Sequence, residues 1–162
     1  MMDAKDTFYM TLRDRLAVIN PDRRMLTRGA LRPSVLVEEA EPVASKAVQD
    51  VFLIRWKELR RERSLSQTLT LMDCEIRYST AGTSGSCGLD RGRVLAAMDE
   101  ELLQMLEPPS APTMSYSSSP CSATGTTVFW TEPEMGAATA IREGLERVVK
   151  VTVTARDAGS IQ

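Results

Sequence analysis

The chain has 162 residues, 43% of them hydrophobic and 26% charged, with a formal net charge of -2. At that length one domain buries roughly 70% of the surface its unfolded chain exposes, so a core needs no disulfides or metals, and the composition excludes a disordered or coiled-coil chain. The small net charge excludes long-range attraction to nucleic acid or anionic lipid as a property of the whole, leaving only local patches to act in that way.

The opening MMDAKDTFYMTLRDRL is charged throughout and lacks the apolar core and small-residue cleavage site of a secretory signal. No window approaches the roughly 18 unbroken apolar residues of a membrane helix, so an intracellular product is expected. Asp6 or Thr7 caps a first helix with the stripe Phe8, Leu12, Leu16 and Ile19, which stops at Asn20-Pro21 because the residue before proline leaves helical geometry. Arg13, Asp14 and Arg15 are read towards solvent or a neighbour. Residues 21–33 read as a basic connector carrying Arg23, Arg24, Arg28 and Arg32, either solvated or paired with an acidic surface on another copy.

Two strands follow. Ser34 to Ala40 is short, whereas Asp50 to Glu58 is stronger, with Phe52, Ile54 and Trp56 opposite Val51, Leu53 and Arg55. The intervening residues 41–49 read as a polar turn. Leu59 to Ser66 is a charged hairpin tip with Arg60, Arg61 and Arg63, open to three readings: solvation, an intersubunit contact or a nucleic-acid contact. From Thr68 to Tyr78 the period is two, placing Thr70, Met72, Cys74, Ile76 and Tyr78 on one side. A glycine-rich loop, Ser79 to Gly88, leads to a helix with the stripe Leu95, Met98, Leu102, Met105 and Leu106. That loop is a flexible connection or, less well matched, a phosphate cradle, since it lacks the Gly-Lys-Ser/Thr ending and the dinucleotide spacing.

Residues 107–127 are rich in Pro and Ser and read as an extended arm or loop, partly disordered. Val128, Phe129 and Trp130 start a strand that Pro133 ends or confines to an edge, and Trp130 there marks a sheet edge an oligomer can use. Residues 134–144 read as a loop or short helical turn. Glu146 to Ala155 is the last strand, with Val149, Val151, Val153 and Ala155 on one face, and 157–162 is a fraying tail. The sum is a single α+β domain over 1–162: a mainly antiparallel sheet of about four to five strands covered by two amphipathic helices.

The chemistry is sparse. There is no His, so Ser–His and Cys–His nucleophile systems are excluded, and acid–base work would fall to carboxylates or to Lys5, Lys46, Lys57 and Lys150. The acidic neighbours Glu38–Glu39 and Asp99, Glu100 and Glu101 need not converge, because adjacent residues point in different directions. Cys74, Cys87 and Cys121 are odd in number and widely spaced, which argues against a disulfide framework or a zinc site. No catalytic residue, metal ligand or cofactor-binding motif is assigned, and an enzyme is not expected.

The order of elements, together with the run LMDCEIRYSTAGTSGSCGLDRGRVLAAMDEELLQML, resembles the tail-terminator, or tail-completion, proteins of long-tailed phages and related contractile injection systems. The shared features are an N-terminal helix like Thr7 to Ile19, a charged hairpin like Asp50 to Tyr78 and a helix like Gly92 to Leu106 across the sheet. The resemblance implies a homo-hexameric ring that caps the tail tube, joins it to the neck or head, and leaves a channel through which DNA passes without sequence readout. Assembly in the host cytoplasm and a place in the virion tail or neck go with it. It makes Arg60, Arg61 and Arg63, and Arg23, Arg24 and Arg28, contacts for acidic surfaces such as Asp99, Glu100 and Glu101. The glycine loop and the Pro/Ser arm would reach neighbouring rings. Other neck or head–tail connector rings share such small sheets, and the rival from another class is a small nucleotide- or ligand-binding module using the Ser79–Gly88 loop.

Overall fold

The strongest period-two runs become the centre of the molecule. In the computed structural model, which describes residues 1–40 and 48–156, β5 (Gln67–Thr80) pairs antiparallel with both β4 (Phe52–Ser64) and β10 (Gly144–Arg156). The alternation then lines up across strands, giving rows such as Ile54–Ile76–Val149 and Trp56–Cys74–Val151 on one face. All but Trp56 in these rows are buried, and Trp56 packs against the same core. The polar turn expected at 41–49 lies mostly, and the tail 157–162 entirely, outside the described residues.

Around this centre the sheet is larger than the sequence suggests, and the expectation of four to five mainly antiparallel strands is overturned. One curled, mixed sheet of eight strands has the order β3–β4–β5–β10–β7–β6, with β8 and β9 also paired to β10; a separate two-stranded sheet stands beside it. The remaining elements are α1 (Met2–Ile19), β1 (Arg24–Thr27), β2 (Ala30–Pro33), β3 (Val35–Val37), α2 (Arg91–Met105), β6 (Ser110–Ser115), β7 (Ser122–Trp130), β8 (Glu134–Met135) and β9 (Thr139–Ile141). Two causes account for the miscount. β3 runs parallel to β4, which the short-turn argument for antiparallel neighbours did not anticipate. Several short strands carry no legible alternation: β8 and β9 follow β7 end to end along one side of β10, interrupted by Pro133 and by Gly136, whose backbone lies so close to Val148 that an added Cβ would be 2.5 Å from its carbonyl oxygen.

The Pro/Ser-rich stretch is a hairpin rather than a patternless arm, with β6 pairing β7 through an irregularity between Pro112 and Met114. This moves Trp130 from the expected edge into the core. β7 lies between β10 and β6, and Trp130 is 5% exposed, its Nε1–H donating to the Leu106 carbonyl at 2.8 Å.

Both helices cover the same face. α2 lies on β5 and β10 through Leu95, Met98, Leu102 and Met105, as its stripe predicts. α1 lies beside it, held by the curl of the sheet. β6 folds against it, and the Thr7 hydroxyl accepts the Met114 N–H at 2.9 Å and donates to the Met114 carbonyl at 3.3 Å. Phe8 inserts edge-on between Trp56 and Trp130, with ring centroids 5.7 and 5.2 Å away. Arg15, expected towards solvent or a neighbour, instead turns inward. Its guanidinium donates to the carbonyls of Met105, Pro108 and Ser110 at 2.8 to 3.1 Å and lies over the Trp130 ring, satisfying the C-terminal end of α2 with a cation.

Candidate functional site at the sheet margins and arms

The arginines and acids singled out by sequence divide into those covered within the fold and those on exposed arms. Exposure there does not mean lack of a partner, since Arg28 and Arg61 also interact within the chain. Arg23 and Glu101 belong to the first group. They pair within one chain through Nε–Oε2 and a second bond of 3.1 Å, with Asn20 Nδ2 adding a bond of 2.7 Å to the same carboxylate, and both side chains are largely covered. The pair ties the end of α1 to α2, so it is not offered to another copy. Asp99 is also taken. It accepts the Tyr78 hydroxyl at 2.5 Å and two bonds from Arg147 at 2.7 and 2.9 Å, while Arg147 Nη1 donates to the Gly136 carbonyl.

Burial, reinforced by the bond to Asp99, pushes the Tyr78 phenol well above the ordinary tyrosine range, and the bond to Asp99 raises Arg147. Helical geometry explains why the acidic triplet does not act as one patch. Successive residues diverge around the axis, sending Asp99 to the sheet, Glu101 towards α1, and Glu100 to the exposed side. Arg15 and Arg147 are the polar residues the sequence reading missed; nothing in their local spacing distinguishes a carbonyl-binding arginine from a solvated one.

The outward group sits on two arms. Residues 24–33, read as a connector, form the β1–β2 hairpin, whose turn residues Arg28 and Gly29 both have positive φ, 49° and 81°. That is the two-residue turn whose twist suits a hairpin, and Gly29 supplies it without strain. Leu26 and Leu31 oppose each other across it and are 68% and 62% exposed, beside the exposed Arg24. The second arm is the far half of β4 and its turn. Every residue from Lys57 to Gln67 is exposed, including Arg61, Arg63 and Leu65, while Arg60 reaches back to Asp73 at 3.0 Å.

The face of the sheet away from the helices is built differently. One row across it alternates in sign, Glu38, Arg55, Glu75, Lys150 and Glu134, on neighbouring strands. Arg55 bonds Glu38 at 2.6 Å and holds its carboxyl below the usual range, and Lys57 stands 3.8 Å from Glu75. In the next row Asp73 accepts from Thr152 at 3.0 Å as well as from Arg60. A shallow depression of about 410 Å³ lies over these rows. Its charges already answer one another, so this face is matched to water.

The glycine loop is closed on itself. The Asp90 carboxylate, at the start of α2, accepts the Thr83 N–H at 2.9 Å and the hydroxyls of Thr83 and Ser86 at 2.7 and 2.5 Å. Chiefly through the Ser86 and Thr83 hydroxyls, its carboxyl is drawn down to about 2. Gly82 is required by this packing, since a Cβ there would lie 2.6 Å from Asp90 Oδ1 and its φ is +79°. A phosphate at this helix start would meet a carboxylate, which counts against the cradle reading.

Among the described residues no group of three or more His, Cys, Asp or Glu is placed to hold a metal, and no helix is long and apolar enough to cross a membrane. What the margins and arms can do chemically is pair charges, add strands and bury apolar tips. No family model matches the chain, and no curated protein matches it.

Proposed function

We propose that this chain is a structural assembly subunit, a tail terminator whose copies close a hexameric ring on the end of a tail tube and join it to the neck or head. The observation that carries the reading is the exposed run from Lys57 to Gln67, where a regular hairpin leaves the body of the domain bearing Arg61, Arg63 and the fully exposed Leu65. The tip of this hairpin lies beyond the last pairing of β5 with β10, at Leu69 and Arg156, and a strand ending of that kind gains from a covered face or a further strand. The β1–β2 arm, with its exposed leucine pair, supports the reading independently. On this reading the arms contact the tube or adjacent rings, DNA passes through the central channel, and the ring belongs to the tail or neck of a virion assembled in the host cytoplasm. A neck connector ring would use the same surfaces and is separated by what it binds.

The test is the mass of the purified protein by light scattering across concentration and salt, with negative-stain imaging in the presence and absence of tail tube. Rings of about six copies, alone or on tube ends, are expected. A species that stays monomeric and ignores tube ends overturns the proposal. Binding to the head side but not to tube ends moves it to the connector.

A further inference from the structure

The β1–β2 arm has one covered and one open face. Met25, Thr27 and Arg32 share the covered side and are half-buried, Arg32 lining the groove beside Tyr9 and Arg13 of α1. Alternate residues of a strand share a face, so Arg24, Leu26 and Leu31 look the other way, and the two leucines remain 68% and 62% exposed. A two-stranded sheet is marginal by itself, and one with an apolar open face gains by having that face covered.

The outer side of α2 is its complement. Residues 24–33 hold three arginines and no carboxylate, whereas residues 99–107 hold four carboxylates and no cation. Asp99 and Glu101 are used within the chain, but Glu100 is exposed, and among the described residues no ion pair engages Glu100 or Arg24. Arg28 and Arg32 interact within the chain, which leaves Arg24 as the arm's contribution. About one turn to either side of Glu100 the helix is apolar and open, with Ala96 exposed and Leu103 41% exposed.

Within one chain these two surfaces look apart. Glu101 turns towards α1 and bonds Arg23 at the root of the arm, and Leu103, two residues on, lies about 200° further round the helix axis. The arm is thus rooted on one side of α2, and the Leu103 flank faces the other. Resting on the ring reading above, we infer that the open face of the β1–β2 arm of one copy lies on the outer side of α2 of the next copy. Leu26 and Leu31 cover Leu103 and Ala96, and Arg24 meets Glu100. Each copy gives one arm and one helix, so the contact joins unlike surfaces, the head-to-tail kind that closes rings. This arm then joins copies within the ring, which leaves the β4–β5 arm to the tube.

The experiment uses two variants of the full chain, Arg24→Glu and Glu100→Arg, each checked by circular dichroism and thermal melting and weighed by light scattering. Each alone is expected to self-associate at least roughly tenfold more weakly than the natural chain, because like charges then meet beside the apolar contact. Mixed in equal amounts they should recover the natural mass, since in alternating order every arm meets a helix of opposite charge. Variants that assemble as the natural chain does, or a mixture that stays dissociated, overturn the arm–helix contact and leave the ring reading standing. A natural chain that never associates, with or without tube, overturns both. Should a variant fail to fold, cross-linking decides. With Cys87 and Cys121 replaced by Ser, a chain carrying Leu31→Cys and a chain carrying Leu103→Cys are expected to form a mixed disulfide dimer under a mild oxidant, and its absence overturns the contact.

Discussion

The two faces of the eight-stranded sheet are made from the same strands and handle their side chains in opposite ways. The helix side is a sealed core. Phe8, Ile54, Ile76, Met98, Leu102, Val149 and Val153 are each 0% exposed, and the polar groups at its border are fixed by directed bonds, as with Tyr78, Asp99 and Arg147. The other side faces water, and there the alternating row Glu38, Arg55, Glu75, Lys150 and Glu134 neutralises itself across neighbouring strands. The difference teaches where a partner would attach. A sealed face has nothing to offer and a self-neutralised face has little to gain, which leaves the margins and arms, where charge is unbalanced and leucines are exposed.

Substitutions should separate the faces by the size of their effect. The largest loss is expected for Phe8→Ala, which removes the ring wedged between two tryptophans and should cost about 3 to 5 kcal/mol in denaturant unfolding. A loss near that of a surface residue would mean that the α1 contact is not the keystone of the covered face. Next comes Asp99→Ala, which strands Arg147 and the Tyr78 hydroxyl at a mostly covered border and should cost about 2 to 3 kcal/mol, against about 1 kcal/mol for Tyr78→Phe. If the two cost the same, the carboxylate's bond to Arg147 contributes nothing.

On the open face Glu75→Gln should cost less than about 1 kcal/mol and the difference should shrink in high salt, because exposed pairs are weak and screened. A loss as large as that of Asp99→Ala would show that the ladder is more than a solvated surface. The smallest effect is a titration. The Asp90 carboxyl lies at about 2 in the folded chain against an ordinary value of 3.8, so its contribution is in place above the ordinary value and is lost as pH falls towards 2. The midpoint is readable by NMR in the natural chain and should move up towards the ordinary value when Ser86 and Thr83 are replaced by Ala. An unmoved midpoint would remove those hydroxyls as the cause.

The sequence by itself determined the sealed face. Periods of two and of three to four, written in Thr70, Met72, Cys74, Ile76 and Tyr78, in Leu95, Met98, Leu102, Met105 and Leu106, and in Phe8, Leu12 and Leu16, identified buried residues because burial on one side imposes a period that local spacing records. The start of α1 at Met2 and the extension of β4 to Ser64 were not legible, since exposed residues carry no such period. Nor were β6, β8 and β9, whose prolines and short lengths give no alternation, or the β1–β2 hairpin, where basic residues and leucines stand instead of β-branched ones.

Tertiary structure alone decided which charges meet. Arg23 and Glu101 lie far apart in sequence, where local spacing allows a solvated surface or a contact with another copy, yet the fold brings them together in one chain, as it does Arg147 with Asp99. Trp130 passed from a presumed edge to the core because β6, hidden among prolines, pairs outside it. The physical reason is the same in each case. A hydrophobic period is a property of neighbours along the chain, whereas the partner of a charge, the outermost strand of a sheet and the parallel course of β3 are set by segments that meet only after the core has formed.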